Sequence, residues 1–497
     1  PEAEPVLPPD LGTRLADELA RLGRRAKPGA LLVAAVPIDP VDAIGLVGRA
    51  LAARESVAAW LQPAGRIIVG VGTAAEIALD GPDRFAEAAR IWQGLAGRAV
   101  VGGPAAAATG ATEATAATGA AGAGPILVGG ATFAPGRSAD PCWRGFETGW
   151  LRLPRLLVTR SDGVWLATAA LLLDEAADLE AAMAELENLV GRIGLAGPAL
   201  GPHRTAEAVE TALPLLRRVG GQPDRRTWEA AVARAAGAVS RGRIDKLVLA
   251  RRVDVAAAAP IDVPATLRRL TATAPTATIF ALSPSASPER VFLGASPERL
   301  VEVRGRRFRT IALAGTIGRG QDAAEDDRLA AALLASEKDR EEHAVVVAML
   351  RSTLEPVSES VEVGRGPEIV RLRTVMHLAT PIAGRLRDGE EILGLVERLH
   401  PTPAVGGWPR EAALALLGEE EELDRGWYAG PVGWLDTAGD GEFVVGIRSG
   451  VVEGARASLF AGCGIVADSE PDREWEESEL KLAALAGALG RFEEADD

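Results

Sequence analysis

Carboxylates at one-turn spacing occur twice in the second half of this sequence, each time beside an apolar stripe. In SEKDREEHAVVVAML, Asp339, Glu342 and Val346 fall at i, i+3 and i+7 and share one face of a helix. In SEPDREWEESELKLAAL, Glu474, Glu477 and Lys481 repeat the arrangement, with Leu480 and Leu482 marking the apolar side. A solvated helix end accounts for either run taken alone. Two such helices, with no Cys or His cluster nearby, offer the donors that a hard, oxygen-seeking cation such as Mg²⁺ prefers, and carboxylates turned to a core are costly without a cation. Zinc would want nitrogen or sulfur. His343, His377 and His400 lie too far apart for a local zinc motif, and each alone reads as an ordinary hydrogen-bonded histidine.

Three further segments interrupt apolar runs with polar residues at turn-like positions: VFLGASPERL, IALAGTIGRG and LHPTPAVGGWP. GTIGRG lacks the Gly-Lys-Ser/Thr ending of a phosphate loop and its helix, so a nucleotide site is rejected. AGCGIVAD reads as a strand end where glycines expose N–H groups to something small, with core packing the competing explanation. Cys463, inside that strand, reads as inert packing.

The elements that must position these residues follow from hydrophobic periodicity. Before about residue 220, helical patterns at 11–22 and 178–195 alternate with strand-like runs at 30–36, 66–71, 126–128, 156–159 and 164–173, the last two forming a hairpin around 161–163. Residues 105–124, nearly all Ala, Thr and Gly, read as a surface insertion. From residue 228 the expected order is helix 228–240, strand 246–255, helix 265–273, strands 278–282, 291–295, 299–304 and 308–313, then one long helix 323–354. Strands joined by short turns predict an α+β fold with antiparallel sheets and helices outside. The organisation expected is an N-terminal portion, 1–220, and a catalytic portion, 221–490.

The chain has 497 residues, with 54 Lys and Arg against 69 Asp and Glu, a formal net charge of −15 that argues against nucleic acid as a partner. Aromatics are 4% with a single tyrosine, too few for stacking platforms. No run approaches the roughly 18 apolar residues of a membrane span. PEAEPVLPPD is unlike a signal peptide, and Cys142 and Cys463 alone make no disulfide framework, so a cytoplasmic location is expected.

KLVLAR, GASPERL, LAGTIGRG, KDREEH, MHLATPIAG, LHPTPAVGG, VVGIRSG, GCGIV and EWEESELKL occur in the order found in the chorismate-utilising enzymes, and the chain most resembles their isochorismate synthases. The resemblance runs from about Lys246 to Lys481. It implies one large α+β fold with two packed antiparallel β-sheets flanked by helices. It also implies Mg²⁺-dependent addition of water to carbon 2 of chorismate, with loss of the carbon 4 hydroxyl. Lys246 then matches the general base and Glu298 the general acid. Glu342 and Glu477 match direct Mg²⁺ ligands, and Asp339 and Glu474 match residues that hold its water shell. Arg448 matches a bidentate carboxylate clamp, aided by Lys481 and by backbone N–H groups around Gly462 and Gly464. Tyr428 matches a residue facing the same carboxylate, Gly315 one lining the ring pocket, and His377 one near the reacting ring.

The same resemblance separates the family's chemistries. Lys246 stands where ammonia-using anthranilate synthases lack lysine, and Ala314 where aminodeoxychorismate synthases place a nucleophilic one. Ala404 matches the small residue of isochorismate synthases where salicylate synthases usually carry threonine. Val405, Gly406 and Cys463 depart from the commoner residues, and Tyr428 is the residue salicylate synthases carry. Salicylate synthase, releasing pyruvate, and a silent anion-binding member are therefore the alternatives. No glutaminase subunit is needed for water chemistry, and a monomer is the default expectation. Since chorismate is a dianion and the chain is acidic, its recognition must be local.

Overall fold

The computed structural model describes residues 7–24, 26–103, 124–173, 179–194, 213–371 and 375–492. Apart from Gly124, the Ala/Thr/Gly stretch 105–124 lies outside them.

Two sheets organise the chain. The first runs from Arg491–Phe492 through Leu215–Gln222, Lys246–Ala257, Arg456–Ile465, Ser449–Glu453, Arg290–Ser296 and Thr278–Leu282. It continues through Val57–Leu61, Ile67–Val71, Leu156–Ser161, Val164–Leu172 and Leu31–Pro37 to Ala99–Gly102. Gly407–Trp408 also pairs with Lys246–Ala257. The second sheet runs from Ser358–Val363 through Val375–Leu386, Arg307–Gly318, Arg299–Arg304, Gly441–Val445 and Pro431–Asp436 to Ile126–Gly130, Gly149–Leu153 and Ala75–Leu79. Each sheet is thus two blocks, one from each half of the chain, joined along a single seam. The seams are Ile279↔Leu61 to Leu282↔Ala58 in the first sheet and Val432↔Gly130 to Asp436↔Ile126 in the second. Residue 220, the expected boundary, falls inside the strand Leu215–Gln222.

Among the described residues, pairing is antiparallel except at the two edges of the first sheet. There Leu31–Pro37 runs parallel to Ala99–Gly102, and Leu215–Gln222 parallel to Arg491–Phe492. The two packed antiparallel sheets expected are present, with these edge pairs as the exception. Long connections, rather than hairpins, bring these edge partners together, as parallel pairing requires. The expected hairpin forms: Ser161 pairs with Val164 across Asp162 and Gly163, both at positive φ, the two-residue turn that suits strand twist.

Strands in the middle of the first sheet, such as Val57–Leu61 and Ile67–Val71, read as unbroken apolar runs because both their faces are covered, whereas Leu215–Gln222 near its edge is mostly exposed. Along VAAWL, Ala58 and Trp60 enter the core between the sheets, while Val57, Ala59 and Leu61 join an outer core under helices Leu11–Gly23, Ala43–Ala52, Leu179–Gly194, Val263–Thr273 and Pro471–Leu489. Helices Arg84–Ala96, Glu337–Leu354 and Ile392–Leu399 cover the second sheet. The single helix expected over 323–354 is two, Ala323–Ala335 and Glu337–Leu354. Ser336 takes an extended conformation between them and its hydroxyl accepts the N–H of Asp339, capping the second. Among the described residues no helix is long and apolar enough to cross a membrane.

Candidate active site

The chain passes from one sheet to the other at two places that face the same cavity. Pro297 and Glu298 link Arg290–Ser296 to Arg299–Arg304, and Gly446 to Arg448 link Gly441–Val445 to Ser449–Glu453. The crossings are tied together: Val445 donates its N–H to Glu298 O (3.0 Å), and the Ser296 hydroxyl donates to Val445 O (2.6 Å). Arg448 adopts φ +52°, a left-handed conformation that non-glycine residues rarely take and that functional sites often retain. The cavity between them has a volume of about 320 Å³.

Into it point Lys246, the first residue of its strand, and Glu342, whose Oε1 lies 2.9 Å from Lys246 Nζ. From the C-terminal helix come Glu477 and Lys481, paired at 2.6 Å; Lys481 also donates to Gly462 O (2.8 Å). Asp339, Gly315, His377, Ala404, Tyr428, Arg448, Gly462 and Gly464 complete the expected set on the lining. Glu474 is the exception. It sits one turn before Glu477, off the lining, with its carboxylate and that of Glu477 within 4.8 Å of each other and of Cys463 Sγ.

Glycine is required at two of these positions. Gly315 bulges the strand Arg307–Gly318 at φ +73°, and a Cβ there would press on Asp339 at 3.2 Å. A Cβ on Gly464 would lie 2.6 Å from Lys246 Cε. Gly462 and Gly464 stand opposite Ala250 and Val248, whose N–H groups go instead to Glu421 Oε2 (2.8 Å) and Gly406 O (3.2 Å). These are therefore non-hydrogen-bonded pairs, and the glycines turn their own N–H and C=O groups away from that strand.

Burial pushes the Glu298 carboxyl up, against the opposing Thr402 hydroxyl (3.3 Å) and the charges of Lys246, Arg448 and Lys481. Glu477 moves the other way: burial raises it, but Lys481, Arg448 and Lys246 outweigh that and leave it lowered. Burial lowers His377 to about 4, so the ring is neutral near pH 7, with Nδ1 2.9 Å from the Thr316 hydroxyl. His343 meets Thr380 (2.7 Å) and His400 meets Phe133 O (2.8 Å), which makes both ordinary buried histidines. Burial also raises the Tyr428 phenol and pushes Cys463 up to about 12, keeping it a thiol. Arg448 makes no side-chain hydrogen bond among the described residues, although it faces Glu298, Glu477 and Tyr428 electrostatically.

The donors fit a hard cation. Glu342 and Glu477 supply carboxylate oxygen from two helices, each offset here by a lysine, and Glu474 Oε2 is buried with no hydrogen-bond partner. A protonated thiol at Cys463 is a poor ligand for such an ion.

Two residues of the site escaped the motif reading. Thr402 lies inside LHPTPAVGG, but its contact with Glu298, 104 residues away in sequence, is made only by the fold. Arg425, buried on the lining and bonded to Glu421, Val405 O and Val248 O, carries no pattern that would mark it.

Residues 17–490 match the family described as chorismate binding enzyme. The chain is 38% identical over 473 residues to the salicylate biosynthesis isochorismate synthase of Pseudomonas aeruginosa, covering 94% of this chain and 92% of that protein. It is 36% identical over 367 residues to the isochorismate synthase MenF of Bacillus subtilis, covering 74% and 75%. The solved structure of MenF, the menaquinone-specific isochorismate synthase from Escherichia coli, superposes with a TM-score of 0.76 at 25% identity, over 97% of this chain and 100% of that one. With a cavity that gathers the family's motif residues from both sheets and a match that spans nearly the whole sequence, the chain belongs to the chorismate-binding enzymes.

Proposed function

We propose that the protein is an isochorismate synthase, converting chorismate to isochorismate with Mg²⁺. The observation that carries this reading is that Lys246 and Glu298 face one cavity together with Arg448 and the carboxylates Glu342 and Glu477. Lys246, as general base, takes a proton from the water that adds to carbon 2. The ring double bond shifts, and Glu298 delivers a proton to the hydroxyl leaving carbon 4, which departs as water. Burial suits Glu298 to that task, because it keeps the carboxyl protonated further toward neutral pH. Arg448 offers a planar pair of donors to a substrate carboxylate, with Lys481 and the turned-out N–H groups of Gly462 and Gly464 beside it. Mg²⁺, held by Glu342 and Glu477 with Asp339 and Glu474 around its waters, would bind a substrate carboxylate and offset the acidic wall. Neutral His377 can present its ring to the substrate without adding charge. Ala404 on the lining leaves no hydroxyl where salicylate synthases place one, which favours stopping at isochorismate. The product would feed menaquinone or an aryl-acid siderophore; relatives named for salicylate biosynthesis and for menaquinone match this chain.

The test is incubation of the purified chain with chorismate, with and without Mg²⁺, followed by chromatography of the products and a pyruvate assay. Mg²⁺-dependent isochorismate without pyruvate is expected. Salicylate with stoichiometric pyruvate would replace this reading by salicylate synthase, and absence of turnover by a silent anion-binding protein.

A further inference from the structure

Arg251 lies on the strand of Lys246 but points to its opposite face, as alternation along a strand requires, and it is 1% exposed. Its guanidinium grips the C-terminal helix at three positions. Nε donates to the Ser478 hydroxyl (2.5 Å), Nη2 donates to Glu479 Oε1 (2.5 Å), and the guanidinium carbon lies 3.9 Å from the Trp475 ring centroid. Ser478 in turn donates to Trp475 O (2.6 Å), and Arg218 holds Glu479 from Leu215–Gln222. Trp475, Ser478 and Glu479 form a stripe roughly a third of a turn around the helix from Glu474, Glu477 and Lys481. A buried guanidinium left without these partners would be costly, so the grip is not optional for the fold.

We infer that Arg251 is a positioning residue for the cation. It fixes the rotation of the helix Pro471–Leu489 against the strand of Lys246, and so sets where Glu477 and Lys481 stand in the cavity while touching neither substrate nor metal. The inference rests on the reading that Glu477 holds Mg²⁺. Apart from Arg218, which itself forks onto Glu479 from Leu215–Gln222, the ties between this helix and the sheet among the described residues are single bonds from the strand Arg456–Ile465: Lys481 to Gly462 O and Cys463 Sγ to Glu474 O (3.2 Å). Neither has the planar fork that resists rotation.

The experiment is calorimetric titration of the full chain with Mg²⁺ in the absence of chorismate, together with kcat and KM at saturating Mg²⁺, for wild type, Arg251→Met, Arg251→Lys and Ser478→Ala. Residues hydrogen-bonded directly to metal ligands govern affinity by roughly 10- to 100-fold; Arg251 acts one step further out, through the helix, so Arg251→Met should raise the Mg²⁺ Kd by no more than about 10-fold and raise KM for chorismate more than it lowers kcat. Arg251→Lys should recover part of the loss, and Ser478→Ala should give a smaller shift of the same sign. Ser478→Ala decides the matter alone if the Arg251 variants do not fold. Unchanged Kd and KM, with only a lowered melting temperature, would overturn the inference and leave the function intact. A wild-type chain that neither binds Mg²⁺ nor turns over chorismate would overturn both.

Discussion

Replacing Gly464 by alanine tests the site at its tightest point. The new Cβ would sit 2.6 Å from Lys246 Cε and 3.1 Å from its Nζ, whereas non-bonded carbons rest at about 3.5–4.0 Å, so the lysine must retreat by about 1 Å. Lys246 Nζ lies 2.9 Å from Glu342 Oε1, and a retreat of that size takes it out of hydrogen-bond range or into another rotamer. A misplacement of about 1 Å at a reacting group costs on the order of 10²-fold in rate, and that is the expected fall in kcat. Stability should change by less than about 1 kcal/mol, because the clash falls on the movable end of a side chain and Gly464 has no positive φ to lose. The assay is isochorismate formation at saturating Mg²⁺, with kcat and KM separated, beside a thermal melt. Gly462→Ala is the control: its Cβ meets Leu249 O at 3.0 Å and the Tyr428 hydroxyl at 3.1 Å, so it should raise KM more than it lowers kcat. A Gly464→Ala enzyme with kcat within about threefold of wild type would refute the claim that this glycine exists to clear Lys246.

Lys246→Ala and Glu298→Gln should each lower kcat by about 10²- to 10⁴-fold while the chain stays folded and binds chorismate, and a near-normal rate in either removes that residue from the proton transfers. Glu477→Ala should raise the Mg²⁺ concentration needed for half-maximal activity sharply or abolish turnover; an unaltered metal dependence would end its assignment as a ligand. His377 and His400 are lowered to about 4 and about 3, below the roughly 6.5 of an unfolded chain, so the stability they contribute is full above pH 6.5 and drains away as pH falls toward those values. Each can steepen the loss by up to about 1.4 kcal/mol per pH unit between pH 6 and 4. Urea denaturation at pH 7, 5.5 and 4.5 should show a slope that His377→Gln combined with His400→Gln flattens, and equal stability across that range in the parent chain would contradict their burial as neutral rings.

Helical spacing alone grouped Asp339 with Glu342 and Glu474 with Glu477 and Lys481, because one-turn periodicity is a local property. That the two helices converge on Lys246 is not local, and only the ordered motifs suggested it. The break at Ser336 was available in the sequence: Ser336 and Asp339 have the spacing of a helix-capping box, masked by the continuous helical composition on either side. The parallel edge pairs were not available, since Arg491–Phe492 is two residues long and carries no period to read. Arg425 stayed hidden for another reason. A buried arginine is defined by the partners that close around it, and Glu421, Val405 and Val248 come from three separate segments.

The seams give the motif-poor first half a definite office. Every side chain assigned to the chemistry lies at or beyond Lys246, yet a fragment beginning near residue 221 would carry three raw sheet edges: Thr278–Leu282, Pro431–Asp436 and, with most of Leu215–Gln222 cut away, Lys246–Ala257. TIFAL is apolar after Thr278 and buried along its whole length, which is the kind of edge that recruits other chains. Residues 1–220 therefore act as a covalently attached escort, closing in cis what would otherwise be a site of self-association. Since the partners across both seams lie more than 200 residues apart in sequence, that closure is a slow event of folding, and a catalytic half transplanted elsewhere must bring its escort with it.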